Sequence, residues 1–135
     1  MKNENTKGDK LKIIKALIAA CLLISLQDLG WASGLDEELT KAEAEKKFVM
    51  LELGSVGCIP CEQMRPVMDR LSRNYKGKLE VIFVDIRKDS EPARRFRVFG
   101  IPTQVFLDRN GKEFHRHVGY YDYGSIVPVL KKAGI

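Results

Sequence analysis

Histidine is nearly missing from this chain: His115 and His117 are the only two, beside three cysteines and one tryptophan in 135 residues. A zinc site of cysteine and histidine has few ligands to draw on, and the usual finger spacing is absent. Long apolar runs are missing too. The longest, "ALIAACLLISL" from Ala16 to Leu26, has eleven residues, short of the roughly 20 that an ordinary membrane-spanning helix needs. There is no internal repeat and no low-complexity linker, so the length reads as one domain. Charge of one sign is also modest. The net is +5 overall and +3 beyond residue 32, too little to argue for a nucleic-acid partner. The densest basic patch, Arg87 and Lys88 with Arg94, Arg95 and Arg97, reads as a solvated helix face.

What the N-terminus does contain is a pattern. A polar stretch with five lysines precedes the apolar run, and Gly30 and Ala32 follow it with the spacing of a cleavage site. This is the arrangement of a secretory signal. Residues 1–32 are therefore expected to be a signal peptide or an N-terminal membrane-targeting segment, and 33–135 the domain. Within the run, "IAAC" resembles a bacterial lipobox with Cys21 as the lipidated residue, although apolar residues continue past it. The sole tryptophan, Trp31, falls at the expected cleavage site.

Beyond residue 32 the periodicities alternate. "LDEELTKAEAEKK" is rich in helix formers, with acids early and lysines late. "FVMLEL" reads as a buried strand interrupted by Glu52. From Cys58, apolar residues at Met64, Val67, Met68 and Leu71 keep helical spacing to about Tyr75, with Pro66 inside. "LEVIFVDI" is apolar nearly throughout, as a central strand covered on both faces would be. Strand, helix and strand form a βαβ unit, so these two strands are expected to run parallel. A helix capped by Ser90 and closed by Gly100 follows. "TQVFLD" and "EFHRHV" form a hairpin around Asn110–Gly111. A last helix, with Ser125 as its cap and Pro128 in its first turn, ends the chain. The expected class is α/β, with a central mixed sheet of about four strands and helices on both faces.

Cys58 and Cys61 stand two residues apart where the first strand meets its helix. At a helix N-terminus, unpaired N–H groups and the dipole favour a thiolate, the reactive form of cysteine. Two such thiols can attack and then resolve a mixed disulfide. Half a zinc site, with His115 and His117, or a permanent structural disulfide are the other readings of the pair alone.

From about Leu35 onward the chain resembles the thioredoxin-fold family. "CIPC" is similar to the family's Cys-x-Pro-Cys site, and Pro66 to its helix prolines. "GIPT" is similar to the segment whose proline, here Pro102, is cis, and Gly119 to the glycine after the last strand. The resemblance implies a thiol–disulfide oxidoreductase with no cofactor and no metal. It implies that Cys58 is the nucleophile, Cys61 the resolving thiol, and Glu52 the buried acid that takes the Cys61 proton. Ile101 and Pro102 would offer main-chain bonds to an extended substrate, with Gly57, Ile59, Pro60 and Gly119 lining the same site. Three positions depart from the family. Gly57 replaces a tryptophan, Ile59 a common glycine, and Phe83 stands where a lysine often accompanies the acid. With the N-terminal pattern, the expectation is an exported, periplasmic, monomeric reductase of protein disulfides supplied by a membrane electron donor. A dithiol oxidase and a non-catalytic binding or chaperone module are the alternatives.

Overall fold

In the computed structural model, residues 34–135 are described. The expected leader, Cys21 and Trp31 lie outside the described residues, so the sites placed on them are not located here. Helix α1 spans Gly34–Ala44 and is followed by β1 (Phe48–Gly54), α2 (Ile59–Asn74), β2 (Leu79–Asp85) and α3 (Glu91–Arg95). The hairpin β3 (Thr103–Leu107) and β4 (Glu113–Val118) leads into α4 (Tyr123–Ala133). This is the expected order of elements. Among the described residues no helix is long and apolar enough to cross a membrane.

The strands form one mixed sheet in the order β2-β1-β3-β4. β1 runs parallel to β2, while β1–β3 and β3–β4 are antiparallel. Alternation along each strand sorts side chains to two faces. On one face Phe48, Met50 and Phe106 pack with Met64, Val67 and Leu71 of α2 and Ile126 and Leu130 of α4. On the other, Val49, Leu51, Leu53, Val105 and Leu107 pack with Ala42 and Leu39 of α1, and with Phe96 and Val98 beyond α3. Both inner strands are covered on both faces, and every residue of β1 and β3 is buried.

Five local expectations are corrected. β2 is an edge strand, not a central one. Its apolar run reports cover on both faces, since Leu79 joins one core and Ile82 and Val84 the other. α3 ends at Arg95, well short of Gly100. Arg97 takes a left-handed φ of 49°, and the Val98 N–H bonds the Ala93 carbonyl at 2.8 Å, closing the helix in a Schellman-type turn without glycine. Ser90 makes no side-chain cap; its hydroxyl accepts from Arg94, and the Asp89 carboxylate accepts from the Glu91 N–H.

At α4 the cap is Asp122, whose carboxylate accepts from the Ser125 N–H at 3.0 Å. Ser125 is the residue being capped. Pro128 consequently lies inside the helix beyond its first turn, where it forgoes a bond to the Gly124 carbonyl. In the hairpin, the Gly111 N–H bonds the Asp108 carbonyl and Gly111 has φ 72°. The Asn-Gly signal is thus realised as a turn closed by a left-handed glycine.

Because the Asp122 carboxylate also accepts from the Ser125 hydroxyl, Asp122→Ala is expected to destabilise the domain by about 1 kcal/mol. The urea unfolding midpoint measures this, and an unchanged midpoint would assign the cap no energetic role.

Candidate active site

The end of β1 leads into a four-residue loop that brings the chain to α2. Gly57 has φ +81°, a left-handed conformation that a side chain enters only at a cost. Glycine before Cys58 is therefore a backbone requirement of this loop. The Cys58 N–H bonds the Ser55 carbonyl at 3.3 Å. Cys58 is the N-cap of α2, a helix of 16 residues, and its side chain makes no capping hydrogen bond.

Cys58 and Cys61 are joined as a disulfide, with Cα atoms 5.2 Å apart. The two sulfurs sit in different surroundings. Cys58 is half-buried, whereas Cys61 is 3% exposed and belongs to the buried face of α2. Cys61 rests on Gly54: a Cβ added there would come within 3.0 Å of Cys61 Sγ and 3.4 Å of the Phe83 ring. Gly54 is a site residue that sequence reasoning missed, although a glycine closing an apolar strand just ahead of the pair is the signal that points to it. Ile59 is 75% exposed and Val56 is also exposed, so the rim beside Cys58 is apolar.

Glu52 lies two residues before Gly54 on the same face. It is fully buried. Burial pushes its carboxyl up to about 7, and the Gln104 amide tempers the rise. Neither carboxyl oxygen reaches full hydrogen-bond geometry with a protein group. Its β2 neighbour in register is Phe83, its β3 neighbour Gln104. No cation stands where the family often has lysine. Gln104, also fully buried, was not anticipated, because glutamine in an apolar strand carries no motif of its own.

Pro102 is buried, and the Ile101–Pro102 peptide is cis. Leu53 pairs with Thr103, so the next step along the same register sets Gly54 across from Pro102. Gly119, with φ 99°, donates its N–H to the Pro102 carbonyl at 2.8 Å. The Gly119 carbonyl in turn accepts from Gln104 Nε2 at 3.1 Å. The Tyr121 N–H points to Met64 Sδ at 3.2 Å. The pair, Pro102 and Gly119 thereby share one end of the sheet. Among the described residues, neither main-chain group of Ile101 has a backbone partner. His115 and His117 are engaged elsewhere: His115 Nε2 contacts the Tyr121 hydroxyl, and the His117 ring stacks on Tyr121 at 4.0 Å.

A disulfide at a strand-to-helix junction, one sulfur more open than the other and a buried acid two residues before the glycine that seats the inner one, defines a thiol–disulfide oxidoreductase of the thioredoxin-like class. The chain belongs to that family, whose thioredoxin-like domain model matches residues 35–134. It is similar to the chloroplastic thioredoxin Y of Oryza sativa subsp. japonica, 29% identical over 101 residues, which cover 75% of this chain and 58% of that protein. It is also similar to a thioredoxin of Staphylococcus aureus, 24% identical over 91 residues, covering 67% of this chain and 86% of that one. Among solved structures, the germline-specific thioredoxin Deadhead of Drosophila melanogaster matches with a TM-score of 0.64 and 27% identity. That match covers 75% of this chain and 94% of Deadhead.

The raised carboxyl of Glu52 has a consequence for stability. In the fold it holds its proton up to about 7, against an ordinary value of 4.5. Stability from the neutral form is complete below the unfolded value and is lost as pH rises through the folded one. Between those limits, unfolding free energy of the wild type relative to Glu52→Gln is expected to fall by on the order of 3 kcal/mol. Urea unfolding of both disulfide forms across this pH range measures it, and parallel pH curves would contradict the burial of an uncompensated acid.

Proposed function

We propose that this domain reduces protein disulfides outside the cytoplasm, with residues 1–32 as its export signal and a membrane protein as its electron donor. The observation that carries the reading is the asymmetry of the pair: Cys58 is half-buried at a helix N-terminus and Cys61 is buried beside Gly54. In the reduced protein the α2 N-terminus favours the Cys58 thiolate. Ile101, whose main-chain groups have no backbone partner among the described residues, supports docking of an extended substrate segment next to Pro102. The apolar rim of Val56 and Ile59 supports a protein substrate rather than a small polar one.

The exchange runs in two displacements. The Cys58 thiolate attacks one sulfur of the substrate disulfide, forming a mixed disulfide and releasing the other sulfur as a thiolate. Cys61 passes its proton to the Glu52 carboxylate and attacks Cys58 Sγ. That closes the Cys58–Cys61 disulfide and releases the second substrate thiolate. Glu52 returns its proton to one substrate thiolate and solvent protonates the other, so two electrons and the one Cys61 proton leave the protein in each cycle. A donor dithiol on the membrane side restores the reduced pair. The pattern of residues 1–32 and the oxidising poise of extracytoplasmic compartments support a dedicated supply.

Cys61→Ser is expected to accumulate mixed disulfides through Cys58, and Cys58→Ser to abolish turnover, in an insulin-reduction assay followed by mass spectrometry of adducts. Adducts through Cys61 would reverse the assigned roles. A Cys58/Cys61 reduction potential well above that of glutathione would favour the oxidase. Absence of exchange with either dithiol or disulfide partners would leave a binding module.

A further inference from the structure

We propose that Gln104 is the positioning residue for Glu52, its amide presenting one N–H to the Gly119 carbonyl and the other to the carboxylate that receives the Cys61 proton. The inference rests on the exchange reading above. Glu52 and Gln104 are direct partners in the β1–β3 register, and both are fully buried. The Gly119 oxygen is a carbonyl and can only accept. The 3.1 Å contact therefore turns the NH2 end of the amide toward Gly119. An NH2 group has a second hydrogen, and among the described residues Gln104 is the polar side chain in strand register with Glu52, whose carboxyl oxygens hold no full hydrogen bond in the disulfide form.

The other groups around Glu52 do not compete for the role. The β2 partner of Glu52 is Phe83; α2 buries Cys61 and Met64 on its inner face, the loop buries the Ser55 hydroxyl, and beyond Gln104 on β4 stands His117, held on the Tyr120 carbonyl. On α2, Arg65 is paired with Glu62, and together with Asp69 it lines a surface groove beside Phe83. Tyr75 and Tyr121, at the edge of the same core, are raised above the ordinary phenol value. No cation acts on Glu52 among the described residues.

A donated hydrogen favours the carboxylate over the neutral acid. Gln104 thus works against burial, and keeps the acceptor ionised at a pH where an unassisted buried acid would hold its proton. It also ties that ionisation to Gly119, whose own N–H holds the Pro102 carbonyl. The group that tunes the acid then comes from β3, on the opposite side of β1 from Phe83.

The test compares the wild type with Gln104→Leu, and with Gln104→Met as an unbranched alternative should leucine fold poorly. Two readouts are followed: the acid limb of insulin reduction, and the NMR titration of the Glu52 carboxyl in the disulfide form, where neither cysteine titrates. The expected result is that both move alkaline by at least about half a pH unit, a roughly threefold rate loss on the acid limb with no loss on the alkaline plateau. In a Glu52→Gln background, Gln104→Leu is expected to shift nothing further. An unmoved titration, a shift toward acid, or an equal rate loss at every pH overturns the role of Gln104. Absence of exchange by the wild type overturns the functional reading instead, while the titration still decides whether Gln104 serves Glu52.

Discussion

The contact between Cys61 and Gly54 organises the site. A helix that follows β1 after a four-residue loop can lie back across the sheet only if its first turn comes close to the strand. The close approach is possible because Gly54 has no side chain. It sends Cys61 inward and leaves Cys58 at the helix N-terminus facing out. It also places the pair at the end of the sheet where Pro102 enters β3, since Leu53 and Thr103 close the β1–β3 register there. A larger residue at 54 would push on the sulfur itself, so the inequality of the two cysteines depends on that one missing side chain.

The same packing creates a cost. A carboxyl two residues behind Gly54 is fully buried, with no ion pair among the described residues. A buried acid without a partner lowers stability once ionised. Phe83 covers the β2 side, 39% exposed, and adds no charge. The polar side chain set beside it in register is one amide, Gln104, from the neighbouring strand β3. The active end of the sheet is therefore its least satisfied part, in keeping with the general finding that strain and perturbed protonation gather where chemistry is done.

Much of this was legible in the chain. The strand–helix–strand pattern, the cysteine spacing, Pro102 and Gly119 pointed to the fold and to which residues share an end. The pattern misled where an apolar run was taken for central position. β2 is apolar because helices cover both its faces, and face cover is independent of rank in the sheet. It misled at helix ends too. Arg97 closes α3 by its left-handed backbone and Asp122 caps α4 through its carboxylate, whereas the glycine and serine signals lie one or more positions away.

By itself the sequence determined the class of fold, the reactive pair and the presence of an acid within an apolar strand, because these follow from periodicity and spacing along one segment. Only the tertiary structure decided that Gly54 seats Cys61, that Cys58 is the more open thiol, and that a buried amide, Gln104, stands in register beside Glu52. Each of those depends on register between strands distant in sequence. Register is set by the packing of both faces at once, which no single stretch of the chain contains.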